Sequence, residues 1–421
     1  MFLMVGAIGL EPTASWSQTR RSSQLSYTPK LGDRGMVQDE NCFAKWGRKI
    51  HTWVMRYFVD ARMMGPLVTR GIGRVIAELL PRVIRRMPEA SWVVLIRFPE
   101  QRVFFADIPG VEILEESIPW YGWQEQRRLP RLMHESGADA AIFFHWNIPW
   151  RCPVPFGVFL HDLILWHEPT SARISTRRPA VAILKRFVYR QLLQYIARRA
   201  RWIGTPTEYV RQDVERTLPA SRGKVSVIGE GVERVAEEVT SKRVGSLVVS
   251  SAYPHKQLEL VLEAWKTVSK TFPDEYLRIV SAKDLFQARL RAWAERQGLE
   301  RVEWIEDSVS DAVLARFYQQ TRLFVFASRA EGFGLPPLEA LMHGAPVLSS
   351  DAACMPEVLP PLGTRFFQSD SLSGMIEGWI SALRDEALLR AQIPAARAWI
   401  RQHHAWDAAA ERLVERIRTL E

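Results

Sequence analysis

Two glutamates with seven residues between them stand in the run Phe326-Ala327-Ser328-Arg329-Ala330-Glu331-Gly332-Phe333-Gly334-Leu335-Pro336-Pro337-Leu338-Glu339-Ala340-Leu341. The run reads as an apolar strand that ends in a small-residue turn, with Gly332 and Gly334 admitting close backbone approach to a ligand. Pro336 and Pro337 suit the first turn of a helix, where a missing N–H costs nothing. The N–H groups of such a turn and helix start form an anion site suited to a diphosphate. Glu331 precedes the turn and can face a cleft. Glu339 sits about one turn into the helix and can accept two hydrogen bonds from a vicinal diol such as a ribose. Taken alone, the pair fits a bland reading better, with Glu331 as a helix cap and Glu339 on a solvated face.

The run continues as Gly344-Ala345-Pro346-Val347-Leu348-Ser349-Ser350-Asp351 and Met355-Pro356-Glu357-Val358. Upstream stand Phe58-Val59-Asp60-Ala61-Arg62, Gly71-Ile72-Gly73-Arg74, Phe159-Leu160-His161-Asp162-Leu163-Ile164, Ile228-Gly229-Glu230-Gly231-Val232 and Pro254-His255-Lys256-Gln257-Leu258. In this order and over about 55–421, the chain resembles the family 4 glycosyltransferases, retaining nucleotide-sugar-dependent enzymes of the two-lobed GT-B fold. The resemblance implies that Lys256 pairs with the donor diphosphate. It implies that Glu331, with the N–H groups of Phe333, Gly334 and Leu335, holds the transferred sugar and phosphates, and that Glu339 grips the ribose. His161, from the opposite lobe, would contact sugar or phosphate, and Gly71 and Gly73 would let backbone approach donor and acceptor.

The donor implied is a nucleoside diphosphate sugar, GDP-mannose or a UDP-sugar, with no other cofactor; the acceptor is a saccharide or lipid-linked. Three positions depart from the pattern: Arg70 where a further glycine is common, Ser250 where an Arg often precedes the lysine, and His255 in place of an Arg. His255 or a residue elsewhere must then supply the missing charge. A lone Lys256 would read as a solvated helix-start lysine, and His161 as a satisfied end-of-strand residue. No Asp-x-Asp occurs, the spacing that holds a divalent cation against a diphosphate, so no essential metal is expected.

The elements that must position these groups follow from periodicity. Short apolar runs alternate with helical spacing, giving strands at 56–61, 92–96, 140–144, 158–160, 202–205 and 224–228. A second series has strands at 246–250, 276–281, 302–305, 323–327 and 345–349, and helices at 258–269, 285–297, 310–320 and 337–343. The fold class is α/β, two Rossmann-like doubly wound domains facing across a cleft with a C-terminal helix crossing back, and ligands bind such sheets at the carboxyl ends of their strands. The expected divisions are a leader at 1–52, an acceptor domain at 53–235, a linker at 236–243, a donor domain at 244–394 and a crossover helix at 395–421. The leader shows no periodicity, and its first apolar stretch is too short for a secretory signal. It resembles segments that precede a misplaced start codon, which would make Met36 or Met55 the true start; the alternative is a genuine disordered leader.

At 421 residues, 47% hydrophobic and 24% charged, the chain is neither disordered nor polytopic, and its three cysteines lack disulfide or zinc spacing, which places it in a reducing compartment. The net charge of +9 is uneven: residues 1–235 carry 34 Lys/Arg and 22 Asp/Glu, the remainder 22 and 25. The stretch 173–201 reads as a basic amphipathic helix that can lie on an anionic membrane surface, or as the solvated basic face of a core helix. A cytoplasmic enzyme, peripheral on the inner face of the cell membrane, is expected; sparse aromatic interleaving argues against nucleic acid. On the same architecture a nucleotide-sugar epimerase, a phosphorylase or a carbohydrate-binding scaffold without catalysis would share most of these features.

Overall fold

The computed structural model describes residues 54–65, 71–168, 179–233, 243–306 and 309–421. The leader, nearly all of the linker, and Arg173, Arg177 and Arg178 lie outside the described residues.

Seven parallel strands make the sheet of a first lobe: β1 (Arg56–Asp60), β2 (Ser91–Ile96), β3 (Val111–Glu115), β4 (Ala140–Phe143), β5 (Phe156–Phe159), β6 (Trp202–Thr205) and β7 (Val225–Val227). Their order is β3-β2-β1-β4-β5-β6-β7. Six more, β8 (Ser246–Val249), β9 (Leu277–Val280), β10 (Val302–Ile305), β11 (Leu323–Phe326), β12 (Val347–Ser350) and β13 (Thr364–Phe367), form a second parallel sheet in the order β10-β9-β8-β11-β12-β13. Central strands such as β4, β5 and β11 are buried along their whole length, the pattern of a sheet covered by helices on both faces. Strand order reverses between β1 and β4 and again between β8 and β11, so each lobe has one topological switch point.

Two strands escape the apolar-run reading. Both β3 and β13 are edge strands, and Glu112, Glu115, Thr364 and Arg365 interrupt their hydrophobic runs. The helix expected at 337–343 starts earlier, at Leu335–Met342, because Gly334 at φ 85° caps it three residues ahead of the second proline.

The C-terminal segment is two helices that serve different lobes. Ile393, Ala396 and Ile400 of the helix Ile393–His403 enter the second core. Ala409, Leu413 and Ile417 of the helix Trp406–Arg418 enter the first. Trp406 seats against Gly231, where a Cβ would meet its backbone nitrogen at 2.5 Å. Burying that apolar stripe on the first lobe fastens the two lobes together.

The helix Pro179–Arg199 exposes Arg190, Arg198 and Arg199, and with them an apolar patch. Lys185 is buried, while Ile183, Leu184 and Phe187 are exposed beside Arg190. Among the described residues no helix is long and apolar enough to cross a membrane, and Cys152 and Cys354 carry no disulfide.

Candidate functional site

Lys256 and Glu331 follow the two strands that flank the second switch point. After β8 the chain makes a single 3-10 turn at Pro254–Lys256, and Gln257 in the left-handed region (φ 53°) redirects it into the helix Leu258–Thr271. After β11 it enters the glycine turn. The Lys256 Nζ donates to Glu331 Oε1 at 2.5 Å, and both side chains are mostly buried. Immediately beyond, the helix Leu335–Met342 begins, and its first-turn N–H groups have no intrahelical acceptor. A cation, a carboxylate and a helix N-terminus therefore converge within one turn, the components of a site for an anionic ligand.

Gly332 answers to a different need from the one its sequence suggests. A Cβ there would lie 1.9 Å from the backbone oxygen of His161, and Thr207 Oγ1 donates to Gly332 O at 3.0 Å. The close approach is that of the first lobe's backbone. Gly73 is likewise a packing position, buried with Met63 O 3.0 Å from where a Cβ would sit, whereas Gly71, at φ 53°, faces open space.

Glu339 lies inside the helix with both oxygens engaged. Arg74 Nη1 reaches across from the first lobe to Oε1 at 3.2 Å, and Tyr318 OH donates to Oε2 at 3.0 Å. Arg74 also meets Asp311 at 3.0 Å. His161 sits at the end of β5 against Phe159, with Nδ1 3.2 Å from Glu230 Oε1 and Nε2 2.9 Å from Phe144 O. Both partners accept, so one ring proton satisfies one of them and two satisfy both. Its bonding is that of a satisfied end-of-strand histidine, at the wall of the site.

His255 does not replace the missing arginine. It is buried, its Nδ1 has no hydrogen-bond partner among the described residues, and burial, with Lys256 and Arg329 nearby, pushes the imidazole down to about 3. A neutral ring adds no charge. The Ser250 hydroxyl turns to Ser251 O at 3.0 Å. Arg329, whose N–H donates to His255 O at 2.9 Å, forks onto Glu168 of the first lobe at 2.7 and 2.6 Å. Sequence reasoning did not single out Arg74, Arg329, Glu168, Tyr318 or Glu230. Arg74, Arg329 and Glu230 stand inside quoted motifs, next to glycine or serine; Glu168 and Tyr318 have no sequence signal.

Two doubly wound sheets with a site at the second switch point define a two-lobed α/β transferase scaffold of GT-B type. A family model described as Glycosyltransferase Family 4 matches residues 69–234, and one described as Glycosyl transferases group 1 matches 232–399. Together they span most of the chain, which belongs to the family 4 glycosyltransferases. It is 33% identical over 142 residues to the serotype-specific mannosyltransferase WbdA of Escherichia coli, covering 32% of this chain and 17% of that one. To the O-antigen chain mannosyltransferase RfbU of Salmonella typhimurium strain LT2 it is 23% identical, covering 48% and 54%. The chain thus spans about a sixth and about half of these two relatives. Among solved structures, sucrose-phosphate synthase from Thermosynechococcus elongatus superimposes with a TM-score of 0.69 at 14% identity, covering 87% and 99% of the two chains. Anabaena Alr3699/HepE in complex with UDP and glucose gives 0.64 at 15% identity, covering 86% and 99%.

Proposed function

We propose that the protein is a retaining glycosyltransferase that moves a hexose, mannose being the first choice, from a nucleoside diphosphate sugar, GDP-mannose or a UDP-sugar, to a saccharide or lipid-linked acceptor. The observation that carries this reading is the Lys256–Glu331 pair beside the N-terminus of the helix Leu335–Met342. Mannose is favoured because both relatives described above are mannosyltransferases.

The donor diphosphate takes the place of Glu331 on Lys256, and the ammonium and the N–H groups of Phe333, Gly334 and Leu335 neutralise the charge that grows as the sugar–phosphate bond breaks. Glu331, released, binds hydroxyls of the transferred sugar. Glu339 exchanges Arg74 for the ribose diol. His161 exchanges its longer bond, to Glu230, for the sugar. The bond from C1 to the phosphate oxygen breaks and the bond from C1 to the acceptor oxygen forms on the same face. Same-face attack preserves the anomeric configuration, and the acceptor proton passes to the departing phosphate. Orientation by the two lobes supplies much of the rate.

Incubation with a panel of nucleoside diphosphate sugars and lipid-linked saccharides, read by mass spectrometry for released nucleoside diphosphate and by NMR for anomeric configuration, tests this. Retained configuration is expected, with turnover lost by about 10²–10³-fold in Lys256→Ala. Conversion of donor without acceptor would identify an epimerase, and binding without turnover a carbohydrate-binding scaffold.

A further inference from the structure

Lys256 and Glu331 are mostly buried, and the turn at Gly332 meets the backbone of His161 with no room for a methyl group. A ligand of nucleotide size reaches them only when the lobes part, so the contacts that cross between lobes set how long it stays. One such contact is made by Glu357 of the second lobe. It accepts from the N–H groups of Glu208 and Tyr209, at 2.7 and 2.9 Å, where the first-lobe helix Glu208–Thr217 begins.

The contact made by Arg329 differs in kind, because its guanidinium stands between two carboxylates, one from each lobe. Nε and Nη2 fork onto Glu168 of the first lobe at 2.7 and 2.6 Å. Nη1 lies 3.6 Å from Asp370 Oδ1 of its own lobe, an ion pair beyond hydrogen-bond reach.

All three side chains are tied to the site. Arg329 is two residues before Glu331, and its N–H donates to His255 O, joining its turn to that of Lys256. Glu168 follows the short helix Ile164–His167 and donates its N–H to Ile164 O at 2.7 Å. His167 Nε2, 2.9 Å from Asp213 Oδ2, anchors this segment, which begins at His161. Asp370 accepts from the amide of Gln257, the residue after Lys256. Gln257 and Asp370 both occupy the left-handed region, at φ 53° and 61°, where residues other than glycine persist only if their surroundings hold them. The Asp370 carboxylate is thus fixed in place although it is exposed.

We infer that Arg329 is a two-position clasp: with the lobes together it forks onto Glu168, and when they part it transfers to Asp370. The guanidinium then exchanges one carboxylate for another instead of losing its only partner. Arg329 is a positioning residue, acting on the nucleotide through the placement of the lobes. The fork favours the lobes-together state, since a bidentate charge-assisted pair outweighs a single contact at 3.6 Å. Asp370 competes for the same cation and favours opening. Both pairs are partly exposed, and such pairs are worth up to about 5-fold in an equilibrium. The inference rests on the glycosyltransferase reading for the identity of the ligand.

The two carboxylates make opposite predictions. Release of GDP and of UDP from the full chain is followed by stopped-flow fluorescence. The open fraction without nucleotide is read by single-molecule energy transfer between one dye on each lobe. Glu168→Gln should raise the open fraction and speed release about 5-fold. Asp370→Asn should lower the open fraction and slow release by about 2-fold, the weaker contact being lost. Asparagine is at ease in the left-handed region, and its oxygen still accepts from Gln257. In an Arg329→Ala background neither substitution should matter. Changes of the same sign in both variants, no change in either, or effects that survive in the Arg329→Ala background would overturn the inference. If neither nucleotide binds, it is the proposed function that fails, and the open fraction still decides the clasp.

Discussion

The backbone oxygen of His161 stands 1.9 Å from where a Cβ on Gly332 would sit, so the donor-side turn of one lobe and the end of β5 in the other meet main chain to main chain. Neither group is a flexible side chain that could yield. The relative position of the lobes at the site is therefore fixed by the absence of a single methyl group. Gly332→Ala should separate Lys256 and Glu331 from the first lobe and lower kcat/KM by about 10²-fold, the cost of misplacing groups by about 1 Å. Each lobe's core is untouched, so the circular dichroism spectrum should persist. Small-angle scattering should show a larger radius of gyration, and an unchanged radius with full activity would contradict this reading of the contact.

In the proposed function Glu339 recognises a ribose diol, and the carboxylate is held in place by Tyr318 at 3.0 Å. The native protein should then prefer a nucleoside diphosphate over its 2′-deoxy form by about 10-fold, the worth of a hydrogen bond to a charged group. Glu339→Gln should abolish that preference, and Tyr318→Phe should reduce it several-fold by loosening the carboxylate. Calorimetric titration with both nucleotides checks this. Equal affinities in the native protein would remove Glu339 from the ribose.

The exposed Ile183, Leu184 and Phe187 lie on a helix that also exposes Arg190, Arg198 and Arg199. Contact with an anionic bilayer would use apolar insertion together with charge, and these respond differently to salt. Co-sedimentation with vesicles containing phosphatidylglycerol should fall as salt rises but retain a residue of binding. Phe187→Ser should remove that residue. Binding indifferent to lipid charge would count against a membrane face.

Much of this architecture was written in local pattern. Parallel strands buried on both faces leave continuous apolar runs, and the run from Phe326 to Leu341 displays its strand, turn and helix without long-range information. Edge strands β3 and β13 were invisible because Glu112, Glu115 and Arg365 look outward and break the run. The site was legible where function sits on a motif, as with Lys256, Glu331 and Glu339. It was not legible where partners come from afar: Glu168 lies 161 residues from Arg329 and Arg74 lies 265 from Glu339. Nor could the sequence show that His255 is buried, since exposure depends on what the opposing elements cover.

That burial makes a pH dependence. The folded protein keeps His255 neutral down to about 3, while the unfolded chain takes up the proton near 6.5. Between these values the unfolded state binds more protons, so stability rises with pH across the interval. The contribution is fully present above about pH 6.5 and is lost progressively as pH falls toward 3. His145, held down to about 3, and His404, held down to about 4, act in the same direction through burial. All three groups therefore steepen the acid limb, against the opposite effect of the buried carboxyls of Glu125, Asp162 and Glu275, whose pKa burial raises. The urea midpoint should drop steeply from pH 7 to pH 4.5. His255→Gln should flatten that drop, because the substituted side chain does not titrate. A variant with the native slope would show that His255 does not carry the dependence.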